Sequence, residues 1–142
     1  MQAGIENNYN LNKQMKNKIA AVSKFHTAFK INMNHKPMAD IGEDRKQLRF
    51  ELMKEENEEY LEAANKNDLV EVADALGDML YILCGTIIEH GMQDKIEAVF
   101  NEIQRSNMSK LGEDSKPIYR EDGKVLKGPN YFKPNIREIL EK

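Results

Sequence analysis

EENEEYLEAANKNDLVEVADALGD, residues 55–78, is the stretch on which the reading of this chain turns. Two helical patterns meet here through a short polar turn, Asn65-Lys66-Asn67-Asp68, and each puts carboxylates where a packing face belongs. In the first, Leu48, Leu52, Glu55/Glu56, Glu59 and Ala63 keep the three-to-four spacing of one helix face, so acids interrupt the apolar stripe rather than flank it. Glu55, Glu56, Glu58, Glu59 and Glu62 crowd within two turns, where each like-charge i,i+4 pair costs roughly 0.2–0.5 kcal/mol. Lysines stand only at the ends of the run, at Lys54 and Lys66.

The second pattern repeats the first. Leu69, Ala73, Leu76, Leu80, Leu83 and Ile87 form an apolar stripe, with Glu71, Asp74 and Asp78 in a second stripe beside it. Asp68 is placed to cap this helix, and Glu71 at its third position completes a capping box by composition. Glu71 thus has a structural task competing with any ligand role. Two acidic stripes facing each other in a helical hairpin need a counter-ion, because carboxylates without partners either neutralise or bind a cation. Hard cations such as Mg²⁺ take oxygen ligands and leave positions for water and substrate phosphates. A run such as EENEE is more often a solvated face. The second cluster across the turn shifts the balance to a metal-dependent phosphate site.

The rest of the chain fits a small helical protein. Its 142 residues suffice for a single domain with a core, and 40% hydrophobic with 32% charged residues is a globular composition. The net charge of −3 argues against a general nucleic-acid binder. The one cysteine, Cys84, excludes a disulfide framework or a thiolate metal site and reads as a small core residue. With no apolar stretch of membrane-spanning length and no signal-peptide pattern, a cytoplasmic protein without membrane association is expected. Charge is uneven. Residues 1–104 carry 12 basic and 18 acidic side chains, a net −6, and residues 105–142 carry 9 and 6, a net +3.

The expected fold is all-α, a bundle of four to five helices around the acidic hairpin. Residues 1–10 are polar and expected to fray. Helices are expected over about 11–29, 43–65, 69–90 and 93–108, with Gly91 a C-cap signal for the third. Residues 11–110 would form the helical core and 111–142 an irregular extension, with a small hairpin around Glu121-Asp122-Gly123 and a final helical turn over 135–141.

Other carboxylate-metal patterns fail on inspection. No Glu-x-x-His, no histidine-rich zinc site, no calcium loop and no Walker A motif is present. Glu55-Glu56-x-x-Glu59, followed by acids on the next helix and by Leu76-Gly77-Asp78-Met79-Leu80-Tyr81, resembles the EExxE…ExxD signature of the all-α NTP pyrophosphatases. These include the MazG-like and phosphoribosyl-ATP pyrophosphohydrolase-like proteins. Ser106-Asn107-Met108-Ser109-Lys110-Leu111 and Gly123-Lys124-Val125-Leu126-Lys127-Gly128-Pro129-Asn130-Tyr131 look like the C-terminal extension of one MazG-like branch. One departure stands out. The residue three before Asp78 is Ala75, whereas Glu71 and Asp74 fit ExxD, so the register of the second acidic pair stays open.

The resemblance implies hydrolysis of a nucleoside triphosphate between the α and β phosphates, giving monophosphate and pyrophosphate. It implies Mg²⁺, with Mn²⁺ as a substitute, held by Glu55, Glu56, Glu59, Glu71, Asp74 and Asp78. Glu55 and Glu59 would be the catalytic carboxylates, Glu55 orienting or deprotonating the attacking water. Lys110, Lys124 and Lys127 are candidates for the phosphates, and His26 and Asn107 for the base, with Phe25 more at home in the core. A homodimer or homotetramer is implied. The base is left open among phosphoribosyl-ATP, dUTP, dCTP and damaged nucleotides. Two alternatives stand: a non-catalytic helical oligomer on the same scaffold, and a phosphohydrolase of a non-nucleotide polyphosphate.

Overall fold

The computed structural model describes residues 2–142, with side chains from residue 13 onward. Five helices follow in order: α1 (Gln2–Ala28), α2 (Glu43–Asn65), α3 (Leu69–Glu89), α4 (Ile96–Met108) and α5 (Ile136–Glu141). The only β pairing among the described residues is an isolated antiparallel bridge between Tyr119 and Val125. The all-α expectation holds. The chain divides into two compact units, Met1–Asp94 and Lys95–Lys142.

In the first unit α1 and α2 both pack on α3. The buried apolar residues are Ile19 and Val22 from α1, Ala63 from α2, and Ala75, Cys84, Ile87 and Ile88 from α3. Burial pushes the Cys84 thiol above its ordinary range, as suits a core residue. Helix α1 begins at Gln2, where an unstructured start was expected (Met1 lies outside the described residues). The polar, Asn-rich opening carries no apolar periodicity, so the pattern that marks the helix begins only later.

The turn between α2 and α3 forms as its sequence requires, with one exception. Asp68 caps α3 by accepting from the Glu71 amide at 3.2 Å. Its own amide donates to Ala63 O at 3.0 Å, so the reciprocal arm of a capping box is not needed and the Glu71 carboxylate is spared. Of the apolar stripe of α3, Leu69, Leu76, Leu80 and Leu83 are exposed, and Leu69 and Val70 are more than 70% accessible. Ile87, the last residue of the stripe, is buried within the unit together with its neighbour Ile88. Helix α3 is apolar on two sides, so periodicity alone does not say which side α2 covers.

A latch fixes the connection from α1 to α2. Asn34 donates through its amide to Ile88 O and through Nδ2 to Glu89 O, and the Met38 amide reaches His90 O. Gly91 (φ 67°) sits so close beneath this loop that a Cβ would collide with Lys36 O. The glycine that ends α3 is therefore also the contact that admits the loop.

In the second unit, the Ser106 hydroxyl donates to Phe132 O, and the Phe132 amide donates back to Ser109 Oγ. Arg105 lies 4.3 Å over the Phe132 ring. The small hairpin forms as expected, with the Leu126 amide on Ile118 O and the Arg120 amide on Lys124 O.

Candidate metal and nucleotide site

The site follows from one stripe on α2. Arg49, Leu52, Glu56, Glu59 and Ala63 are spaced three and four apart and face α3. On α3, Glu71, Asp74, Asp78, Ile82, Gly85 and Glu89 run along the facing side. Three chemically different places lie in sequence along this seam.

At the turn end is an acidic cleft of about 340 Å³ lined by Glu59, Glu62, Ala63, Lys66, Asp68, Glu71 and Asp74. Lys66 is the one cation in the lining, and its ammonium already binds Glu62 at 2.8 Å. The proposed ligands Glu59, Glu71 and Asp74 are thus brought together, joined by Glu62 and Asp68. Glu62 was counted in the sequence only as crowding, and Asp68 only as a cap.

In the middle stands Glu56. Its Oε2 is buried and has no hydrogen-bond partner. Its carboxyl is pushed up to about 7, first by burial, then by Glu59, with Asp78 and Glu55 adding repulsion. A carboxylate wedged between others in this way binds a proton or a cation. The two candidate registers of the second acidic pair occupy different places along the seam. Glu71 and Asp74 line the cleft, while Asp78 acts on Glu56.

The donor chemistry of these residues fits a hard divalent cation: every group is an oxygen, several are carboxylates, and one buried oxygen is orphaned. Among the described residues, no three His, Cys, Asp or Glu side chains already converge tightly enough to form a finished metal site. Glu55, Glu59, Glu71, Asp74 and Asp78 are exposed and free to turn.

Beyond Glu56 lies an apolar cavity of about 260 Å³, lined by Val22, Phe25, His26, Ile31, Arg49, Leu52, Tyr81 and Ile82. Phe25 and Tyr81 meet edge to face at 5.6 Å between centroids, and Phe25 also stacks on Phe29 at 4.4 Å. Phe25 is half-exposed and walls the cavity, where core packing was expected. His26, Arg49 and the Tyr81 hydroxyl are the polar groups of the lining residues, and His26 and Arg49 are buried.

Arg49 belongs to an ion cluster that sequence reading missed. Glu89 is 1% exposed and receives Arg45 Nε on Oε1 at 2.7 Å, while Arg49 Nη1 lies 3.1 Å from Oε2. Arg49 also donates to Thr86 Oγ1 and Ile82 O. The overlooked signal was the stripe itself: Arg49 sits two helical turns before Glu56 on the face that Leu52 and Ala63 mark as buried.

The remaining candidates belong to the second unit. Lys110 is half-buried at the end of α4, Asn107 is exposed near it, and Lys124 and Lys127 are exposed on the hairpin side. The Gly128 amide donates to Lys110 O at 2.8 Å, joining the backbones around Lys110 and Lys127. Lys127 Nζ stands 4.7 Å over the Tyr131 ring.

An all-helical fold, paired acidic helix faces and an adjoining aromatic cavity define the class. Residues 22–107 match the phosphoribosyl-ATP pyrophosphohydrolase family, which covers more than half of the chain. The chain belongs to that family. It is also 39% identical over 69 residues to an uncharacterized protein of Acanthamoeba polyphaga mimivirus, covering 46% of this chain. The match spans 27% of that viral protein's length. Family membership supports pyrophosphohydrolase-like chemistry in general. Among the described residues, no helix is long and apolar enough to cross a membrane.

Proposed function

We propose that the chain is a Mg²⁺-dependent nucleoside triphosphate pyrophosphohydrolase, cleaving between the α and β phosphates to release monophosphate and pyrophosphate. The observation that carries this reading is the order along the α2–α3 seam. Acids with an orphaned carboxylate oxygen stand next to a ring-sized aromatic cavity, as a substrate with a polyphosphate end and a planar end requires. Glu55, Glu56, Glu59, Glu71, Asp74 and Asp78 would hold the cation, with Mn²⁺ able to replace Mg²⁺. Bound there, the cation would neutralise phosphate charge and lower the pKa of a water. Glu55 would orient that water and take its proton, and Glu59 would steady the same site. Lys110, Lys124 and Lys127 are proposed for the phosphates, and His26 and Asn107 for the base. The exposed leucines of α3 are proposed as a self-association face of a homodimer or homotetramer. A cytoplasmic location fits such a substrate.

Purified protein incubated with a panel of NTPs, dNTPs and phosphoribosyl-ATP, with Mg²⁺ or with EDTA, tests the reading by product chromatography. Monophosphate plus pyrophosphate, lost in EDTA and in Glu59→Gln, is expected. Orthophosphate as the product, or turnover indifferent to Glu59, would overturn it.

A further inference from the structure

The aromatic cavity has a polar floor, and the bonds made behind that floor dictate what it can recognise. His26 Nδ1 lies 3.2 Å from Asn32 O. A carbonyl only accepts, so Nδ1 carries the proton and Nε2 presents a lone pair. Burial, together with Arg49 and Arg45, holds this imidazole below its ordinary range, which keeps that neutral form.

Arg49 is a pure donor. Its Nε–H goes to Thr86 Oγ1 at 3.0 Å and one Nη2–H to Ile82 O at 2.8 Å. Nη1 has its ion contact with Glu89, leaving N–H bonds on Nη1 and Nη2 beyond these partners. Both polar groups crowd Gly85: a Cβ there would stand 2.6 Å from Arg49 Nη2 and 2.9 Å from His26 Nε2. No hydrogen bond joins the imidazole to the guanidinium among the described residues. A side chain at residue 85 would fill the space in which the donor and the acceptor sit side by side.

We propose that Arg49 is a specificity-determining residue. It would read, together with His26, a planar nitrogen heterocycle that presents a ring acceptor to the guanidinium and a neighbouring N–H to His26 Nε2. Phe25 and Tyr81 supply the aromatic wall, and Leu52 and Ile82 the apolar edge. Glu89, Thr86 and Ile82 O hold the guanidinium in place, so its fork is pre-organised and little entropy is lost when the ring binds. The inference rests on the nucleotide reading above and adds the residue that senses the ring.

The test uses nucleosides without phosphate, in EDTA, so that neither the cation nor the chemistry enters. Uridine, cytidine, inosine and adenosine are titrated by calorimetry against a C-nucleoside bearing a plain phenyl ring. The ¹⁵N imidazole signals of His26 are followed in parallel. At least one heterocyclic nucleoside is expected to bind about tenfold or more tightly than the phenyl analogue, the scale of a hydrogen bond to a charged group. Binding should move the His26 Nε2 signal. In Arg49→Lys, which keeps a cation beside Glu89 but loses the fork, that preference should shrink to within about twofold.

The ligand-side comparison needs no variant and stands even if Arg49→Lys fails to fold. Equal binding of the phenyl analogue, an unmoved Nε2 signal, or no nucleoside binding up to about 10 mM would overturn the proposal. Such a failure beside normal metal-dependent turnover would sink the subsite and leave the hydrolase reading intact. Arg49-dependent ring binding beside no turnover on any nucleotide would do the reverse.

Discussion

The two ends of the α2 stripe bury charge in opposite ways. Around Glu89, Arg45 donates to Oε1 and the Arg49 guanidinium lies 3.1 Å from Oε2, an oxygen that makes no hydrogen bond, so the buried carboxylate is answered by two cations of the first unit. Two helical turns along the same face, Glu56 meets only more carboxylates, and one of its oxygens is buried without a partner. A carboxylate answered by cations holds helices together. One that meets only acids waits for something from outside the chain. The same helices therefore carry a buried carboxylate answered by cations of the chain and another that meets only acids, and the proposed divalent cation would answer the second.

The largest expected effect lies at the Glu89 end. Glu89→Ala leaves Arg45 and Arg49 facing each other without their carboxylate and should cost about 3–5 kcal/mol, read as a lower urea midpoint. Glu59→Gln should change stability by no more than about 0.5 kcal/mol, since it relieves repulsion on an exposed helix face. Yet it should cut turnover about ten- to a hundredfold. If the two variants behaved alike in either assay, the contrast would be lost.

Gly85→Ala comes next. Its methyl would enter the space between Arg49 Nη2 and His26 Nε2 and should cost about 1–3 kcal/mol in thermal unfolding. Asp68→Ala removes the α3 cap and should cost about 0.5–2 kcal/mol. It also removes one carboxylate from the cleft, so part of that loss should return as repulsion is relieved.

The smallest effects are in pH, and the two ends should differ in sign. The folded-state pKa of His26 is lowered from 6.5, so the unfolded chain binds the extra proton. Its contribution to stability is present at neutral pH and is lost as pH falls below 6.5. Glu56 is raised from 4.5 to about 7, so the folded chain holds a proton that the unfolded chain gives up. Its contribution is present at low pH and is lost as pH rises from 4.5 to about 7. Urea titrations in EDTA across this range should show the two contributions opposing each other. Glu56→Gln should remove the loss that accompanies rising pH from 4.5 to about 7 and leave in place the loss on acidification below 6.5 that His26 causes.

Much of this was legible in the sequence. Helix α2 runs over the residues its pattern marks, and Asp68 caps α3 as its type and place require. The acids were visible because they break an apolar stripe. The Glu89 cluster was not, since Arg45, Arg49 and Glu89 look like ordinary charges near helix ends, and their pairing joins residues more than thirty-five positions apart. Which part of the apolar stripe of α3 lies exposed was hidden for a related reason. When a helix is apolar on two sides, periodicity does not choose the side, and the neighbour that does is set by tertiary packing. Asp78 and the Glu71–Asp74 pair, the two candidate registers, lie at different places along the seam.

Whether Glu56 and its neighbours complete themselves by taking a divalent cation is tested most directly by calorimetric titration of Mg²⁺ into the nucleotide-free protein, with Glu56→Gln alongside. The account expects saturable binding to the unaltered chain, accompanied by a rise in melting temperature, and a loss of both in the variant. Binding that is unchanged in Glu56→Gln, or a melting temperature indifferent to millimolar Mg²⁺, would contradict it.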